Sequence, residues 1–487
     1  MSPSPRLTLA ASTTGAVLVA LDGTVLTVAQ PALQRDLHTD FAQVQWTSTG
    51  YLIAVASLLI LAGRLGDRYG HRRVFAVGTL GFGAASAGIG LAPGIGWVIA
   101  LRVVQGVFGA LLQPATLGML RAAYPPERLA TAVAIRTSAI GAAAAAGPVL
   151  GGALVTALGW RAVFALNVLP ALVIGVLALG LRGTPPAPSA PVRLDPVGAA
   201  LLGTALACLV HTLVGLPETG WTASAALGAL VSAAAGAAFV RHERRTASPL
   251  VPPDLVGSRA VAASLGVLVA ASAAMFGTLF LAGWYLQDVL ALDPFSAGLR
   301  ALPLAAAMVL AAPLAPVLLK RHGPRRTIAS AMALLTAGVL VLARLDRTAG
   351  ALSTGAGFLL MGAGFGTVMV AATAMVVRRA ATAHAGVAGG LQQTAMNTGP
   401  ALGVATATTA LALFSGTPHP AGPALENALG PSFALLALAG TAGTALALAL
   451  PHRTAPADPA SSDPAPADPA SSDQAPAHAG PRRSGTS

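Results

Sequence analysis

In the stretch LVALDGTVLTVAQPAL, residues 18–33, one aspartate stands in an otherwise uncharged run. The preceding charged residue is Arg6 and the next is Arg35. Of the seventeen acidic residues in the chain, Asp22 alone lies deep inside a long apolar segment; the others fall in polar connections, at segment ends or in the C-terminal tail. An aspartate at the centre of a membrane helix costs about 2.5–3.5 kcal/mol on insertion scales. It is tolerated when it takes up a proton or faces an arginine or a cation. Where burial and pairing oppose each other, the group gains and loses a proton readily, and that is the chemistry of proton coupling. The plainer alternative is a structural hydrogen bond between helices.

A partner is offered by LRVVQGVFGALLQPATLGML (101–120), in which Arg102, Gln105, Gly106, Gly109 and Gln113 share one helical stripe. Lipid offers no hydrogen bonds, so a polar stripe on a greasy helix must face protein or a watery cavity. Helix packing explains the two glycines but explains an arginine poorly. Gln30, Tyr51, Gln393 and Asn397 are further polar groups inside apolar segments, and with Gln105 and Gln113 they are candidates for a cavity wall. Individually Gln30, Tyr51, Gln393 and Asn397, like Asn167, His211 and Gln392, read more simply as interhelical bonds than as ligand contacts, although His211 could be a second proton site. Arg136, about 10 Å into the fifth segment at 1.5 Å per residue, is expected to snorkel to the membrane surface.

Two glycine-rich stretches suggest moving parts. In GRLGDRYGHRR (63–73), Gly66 and Gly70 permit a turn, and the arginines give Asp67 several partners for a latch that biases which side is shut. In SAIGAAAAAGPVLGGAL (138–154), Gly141, Ala145, Pro148 and Gly152 line one face, a close-packing seam that Pro148 can bend.

These groups need a scaffold that is not water-soluble. The 487 residues are 55% hydrophobic and only 9% charged, with a mean hydropathy of +0.72, against about 25% charged in soluble domains. The composition predicts an all-α integral membrane protein. Apolar runs of about 20 residues, enough for a bilayer core, are predicted near 10–31, 44–63, 74–93, 96–120, 130–157, 161–181, 196–216, 221–240, 260–286, 296–319, 327–343, 350–377, 384–414 and 431–450. With both termini on the cytoplasmic side, 22 Lys and Arg fall inside and 5 outside, as the positive-inside rule requires. The first run reads as a retained helix, not a cleaved signal.

Internal duplication organises the fourteen. Gly70-His71-Arg72-Arg73 matches Gly323-Pro324-Arg325-Arg326, and GPVLGGA (147–153) matches GPALGVA (399–405), at nearly the same offset. Two six-helix bundles are expected, at 1–181 and 260–452, with a linker and two inserted helices at 182–259 and a disordered cytoplasmic tail at 453–487. Such repeats facing each other across a midplane cavity make rocking transporters. The net charge of +12 reads as loop arginines, since no basic block is long enough for nucleic acid. Cys208, the sole cysteine, excludes disulfides and cysteine-based metal sites. No phosphate-cradling GxxxxGK[ST] and no HExxH is present; no cofactor, metal or enzymatic activity is expected.

The residues resemble the major facilitator superfamily, specifically its fourteen-helix drug:proton antiporter branch, over roughly residues 10–450. LDGTVLTVAQPAL looks like the branch's first-helix LDxTIVNVALP, and WTSTGYL (46–52) its WVVTAYLL. GRLGDRYGHRR is similar to the superfamily's GxLxDRxGRR loop, residues 102–106 to RxxQG, and AGPVLGG to the GPxxGG antiporter motif. GWRAVFALNVLPA and YLQDVLALDPFSAGLRALP resemble two further branch motifs. The resemblance implies that Asp22 exchanges protons for cargo and that Arg102 assists. It implies that Gly63, Asp67, Arg68, Gly70 and Arg72 gate the conformational change, and that Gly147, Pro148, Gly151 and Gly152 form the antiporter bend. Thr27, Gln30 and His71 depart from the usual residues, and Lys320 stands where the second half would repeat Asp67. The implied function is proton-coupled export of organic molecules, drug-like and hydrophobic or cationic, by a monomer in a bacterial plasma membrane. The alternative is export of one natural metabolite, such as a self-made antibiotic, an amino acid or a siderophore.

Overall fold

In lipid every backbone N–H and C=O must be satisfied within the segment, so long apolar runs become helices. In the computed structural model, which describes residues 5–180, 194–220, 222–344, 350–417 and 422–451, every regular element is helical. Most of the expected linker and the whole expected tail lie outside the described residues. The helices are α1 (Pro5–Asp36), α2 (Phe41–Tyr69), α3 (His71–Gly90), α4 (Ile95–Ala123), α5 (Pro126–Leu158), α6 (Arg161–Gly180), α7 (Pro196–Thr219) and α8 (Ala223–Glu243). After a short turn at Pro253–Gly257 come α9 (Arg259–Trp284), α10 (Pro294–Ala311), α11 (Ala315–Leu342), α12 (Ala351–Arg379), α13 (Ala385–Ser415) and α14 (Gly422–Leu448). Gly323 (φ 76°, ψ 169°) breaks α11, so its first residues complete the tenth crossing and the remainder makes the eleventh.

Eleven helical stretches are long and apolar enough to cross a membrane, one of them (Ser296–Leu342) being the pair that Gly323 divides. The other two crossings, α3 and α13, carry too much Gly, Thr, Gln or Arg to qualify by composition, and bury much of their surface against neighbours instead. The chain is a multi-pass membrane protein: two six-helix bundles, α1–α6 and α9–α14, with α7 and α8 added. That pair packs together, and α7 leans on α2 and α13.

The duplication read from sequence has a structural cause at each matched site. Gly70 (φ 90°, ψ 127°) and Gly323 hold the same left-handed turn, which glycine adopts without steric cost. Gly147 and Gly151 of α5 press onto Thr24 and Val25 of α1, while Gly399 and Gly403 of α13 press onto Ser272 and Ala273 of α9. In both halves, small residues let the first and fifth helices approach backbone to side chain. The expected loop at 63–73 is a correction: α2 continues helically to Tyr69, and only Gly70 separates it from α3. Its polar last turn stays helical because Gly70 N–H closes it onto the Gly66 carbonyl at 2.9 Å.

Candidate functional site

Asp22 is 3% exposed, and two other helices of the first bundle, α4 and α6, bond to it. Arg102 Nη1 of α4 donates to Oδ2 at 2.6 Å. Gln105 Nε2, one turn along α4, donates to Oδ1 at 3.0 Å, and Asn167 Nδ2 of α6 donates to the same oxygen at 2.9 Å. Both carboxylate oxygens are therefore filled by the donors on hand. The pair is supported further: Arg102 Nε donates to the Thr47 carbonyl of α2 at 2.9 Å, and Arg102 Nη1 to Gln105 Oε1 at 2.6 Å. Gln105 Nε2 also reaches Ser86 Oγ of α3 at 2.7 Å. The guanidinium carbon lies 4.3 Å above the centre of the Tyr51 ring, a cation–π contact that favours the charged arginine in a dry site. Five helices thus share one polar knot.

The knot borders open space. On α1, Gly23, Thr27 and Pro31 form an exposed i, i+4, i+8 stripe that begins one residue from Asp22, and a methyl group on Gly23 would meet nothing within 4 Å. Helices α2 and α5, which both pack against α1, reach helices of the second bundle, so the gap between the halves lies beside α1.

The expected cavity wall is redistributed. Gln105 is fully buried and turned to Asp22, and Tyr51 lies under Arg102 with its hydroxyl unpartnered; neither stands on a cavity surface, because the buried charges need them more. Gln30 Nε2 donates to Ser48 Oγ of α2 at 3.1 Å. Gln393 donates to Gln113 across the two bundles, and Asn397 Nδ2 donates to the Gln393 carbonyl at 2.8 Å. His211 stacks on Trp46 with ring centroids 5.7 Å apart, joining α7 to the start of α2. Arg136 is 3% exposed and does not snorkel. Asn167, read from sequence as an interhelical bond, is a direct partner of Asp22. Ser86 carried no signal, being one serine in a run of Ala and Gly.

At the arginine-rich end the halves are shut. A Cβ on Gly63 would overlap the Gly386 carbonyl, and one on Gly386 the Gly63 carbonyl, so α2 and α13 cross with their backbones in contact. Asp67 sits beside this crossing; its hydrogen bonds go to backbone groups, and of the arginines expected from sequence Arg64 acts on it through space. Its Oδ1 accepts from Gly386 N at 2.7 Å and its Oδ2 from Val387 N at 3.1 Å. The carboxylate caps the N-terminus of α13, where free N–H groups and the helix dipole favour negative charge. His71 Nε2 approaches Asp67 Oδ1 at 3.5 Å, and its ring fills the space left by Gly66 and Gly118. Arg68 lies over the Tyr69 ring at 5.2 Å, and among the described residues Arg72 has no ion-pair partner. Pro148 and Gly152 lie on α5 beside the Gly147–Gly151 seam, with nothing within 4 Å of a Cβ on Gly152. Asp67→Asn keeps one acceptor but loses the charge at the dipole, so the closed end should weaken by about 1 kcal/mol. The check is faster labelling, by an impermeant maleimide, of a cysteine at Ala388 in a Cys208→Ser background.

Fold, repeat and buried ion pair together define a two-bundle membrane transporter, and the sequence comparisons agree. A family model described as Major Facilitator Superfamily matches residues 13–404, and the chain belongs to that superfamily. It is 41% identical over 402 residues to the tetracenomycin C resistance and export protein of Streptomyces glaucescens, covering 82% of this chain and 75% of that one. It is 35% identical over 400 residues to the puromycin resistance protein pur8 of Streptomyces alboniger, covering 81% and 79%. Among solved structures, the human organic anion transporter MFSD10 superposes with a TM-score of 0.66 over 92% of this chain and all of that one, at 16% identity; this likeness concerns the fold.

Proposed function

We propose that this protein exports organic molecules from the cytoplasm of a bacterium in exchange for protons, by alternating access between its two bundles. The observation that carries the proposal is the carboxylate of Asp22, held at the heart of the first bundle by Arg102, Gln105 and Asn167 and backed by an exposed stripe on α1. The arginine-rich end is cytoplasmic on the positive-inside rule, so the state described is shut toward the cytoplasm by Gly63, Gly386 and Asp67. A proton entering from outside neutralises Asp22 and releases it from Arg102. The arginine keeps its bonds to Thr47 and Gln105 and its place on Tyr51, so the charged tie between α1 and α4 is released without stranding a bare cation, while Gln105 still holds the neutral Asp22. Cargo reaching the α1 stripe from the cytoplasmic side then favours loss of that proton and restores the pair. Each net charge moved through 100 mV contributes about 2.3 kcal/mol.

A second reading narrows the cargo to one natural product. It is favoured by the names of the two relatives, each tied to a single antibiotic. Everted vesicles test both readings. An imposed proton gradient should drive uptake of dyes or antibiotics, and collapse of the gradient should stop it. Uptake of one compound in a broad panel selects the narrower reading; gradient-independent behaviour for every compound refutes the exchange.

A further inference from the structure

The geometry points to Arg136 as the binding site for a negatively charged group on the exported molecule, which makes the preferred cargo an organic anion carrying a carboxylate or an ionised phenol. This rests on the export function proposed above and narrows its substrate class.

Arg136 is 3% exposed, its Nε has no hydrogen-bond partner, and no described carboxylate pairs with it. Its depth follows from helix geometry. Helices α4 and α5 are consecutive, joined by the turn at Tyr124–Pro125. Arg136 is ten residues from Pro126, the start of α5, and Gln113 is ten residues from Ala123, the end of α4. At 1.5 Å per residue both lie about 15 Å from the turn and Arg102 about 31 Å, so Arg136 is on the cytoplasmic side of the Asp22–Arg102 pair.

Their faces also correspond. Leu117 and Leu120 of α4 pack in one cluster with Leu129, Ala132 and Val133 of α5 and with Val370 and Val377 of α12. Gln113 lies one turn beyond Leu117 on its stripe, and Arg136 one turn beyond Val133 on its own. One layer up, Gln113 and Arg136 continue those two faces, and the Gln113 amide is bonded to Gln393 of the second bundle. This is the seam between the halves, on the cytoplasmic approach to the midplane where rocking transporters hold their cargo.

Asp22 and Arg102, about 16 Å farther along α4 than Gln113, cancel as a pair; among the described residues no carboxylate compensates Arg136. A buried guanidinium without an anion is costly, and its planar fork matches a carboxylate bidentately. An incoming organic anion supplies the missing partner.

The test uses two xanthene dyes of similar size, anionic carboxyfluorescein and cationic rhodamine 123, in proteoliposomes of the full chain with an imposed proton gradient. The wild type is expected to move carboxyfluorescein in preference, Arg136→Gln to lower the anion-to-cation rate ratio at least about tenfold, and Arg136→Lys to retain part of it. An unchanged ratio in Arg136→Gln, a wild-type preference for the cation, or equal loss of both dyes in a folded variant overturns the assignment. Binding is read separately, as the Tm rise that carboxyfluorescein gives the purified protein. If neither dye is transported but the rise occurs and is lost in Arg136→Gln, the export function fails and the anion site stands. If the wild type shows no rise and no anion transport, the site is refuted.

Discussion

Asp22→Asn should leave a folded, inserted protein whose proton-driven export falls to the level of vesicles lacking it. The asparagine oxygen can still accept from Gln105 and Asn167, the two amides now on Oδ1, so the contacts with α4 and α6 persist. What disappears is the exchangeable proton and the counter-ion of Arg102. The arginine retains the Thr47 carbonyl, Gln105 Oε1 and the Tyr51 face, so the stability loss should be modest, about 1–3 kcal/mol. Arg102→Ala should behave oppositely: it strands a buried carboxylate and should cost about 3–5 kcal/mol, visible as a large fall in Tm. Pairing Asp22→Asn with Arg102→Gln should recover much of that stability and none of the coupling. The cycle separates the structural role of the pair from its proton chemistry. Full gradient-driven export by Asp22→Asn would remove the carboxylate from the mechanism.

Gly63→Val, or Gly386→Val, should disable transport by a different route. Each glycine's missing side chain is occupied by the other's carbonyl, so a branched residue cannot be relieved by a rotamer change; the helices must separate. Overpacking typically costs about 1–3 kcal/mol, charged here against the cytoplasm-closed state alone. The population should shift roughly 5- to 150-fold toward the inward-open form. A cysteine at Ala388, fully buried beside this crossing, should then become reactive to an impermeant maleimide from the cytoplasmic side. Export should fall while Tm in detergent changes little. Unaltered labelling would mean that the crossing does not close the pathway.

The membrane class, the fourteen crossings and the duplication were written in local features: apolar runs of spanning length, loop arginines, and glycines at matched positions. These rest on transfer energies and backbone sterics that each segment carries with it, so they are legible without a fold. Asp22 and Arg102 could be singled out for the same reason, since a charge inside an apolar run is anomalous wherever the helix sits. Tertiary structure alone decided what each of them meets. Residues 80, 83 and 145 positions apart, Arg102, Gln105 and Asn167, reach the Asp22 carboxylate because three helices converge there, and no spacing along the chain encodes that convergence. Asp67 takes its hydrogen bonds from two backbone N–H groups more than 300 residues away, which sequence did not point to, since a helix N-terminus is invisible as a charge in sequence. Arg136 reads locally as a snorkelling side chain; only the packing of α4, α5 and α12 around its helix shuts that exit and leaves a cation facing the seam.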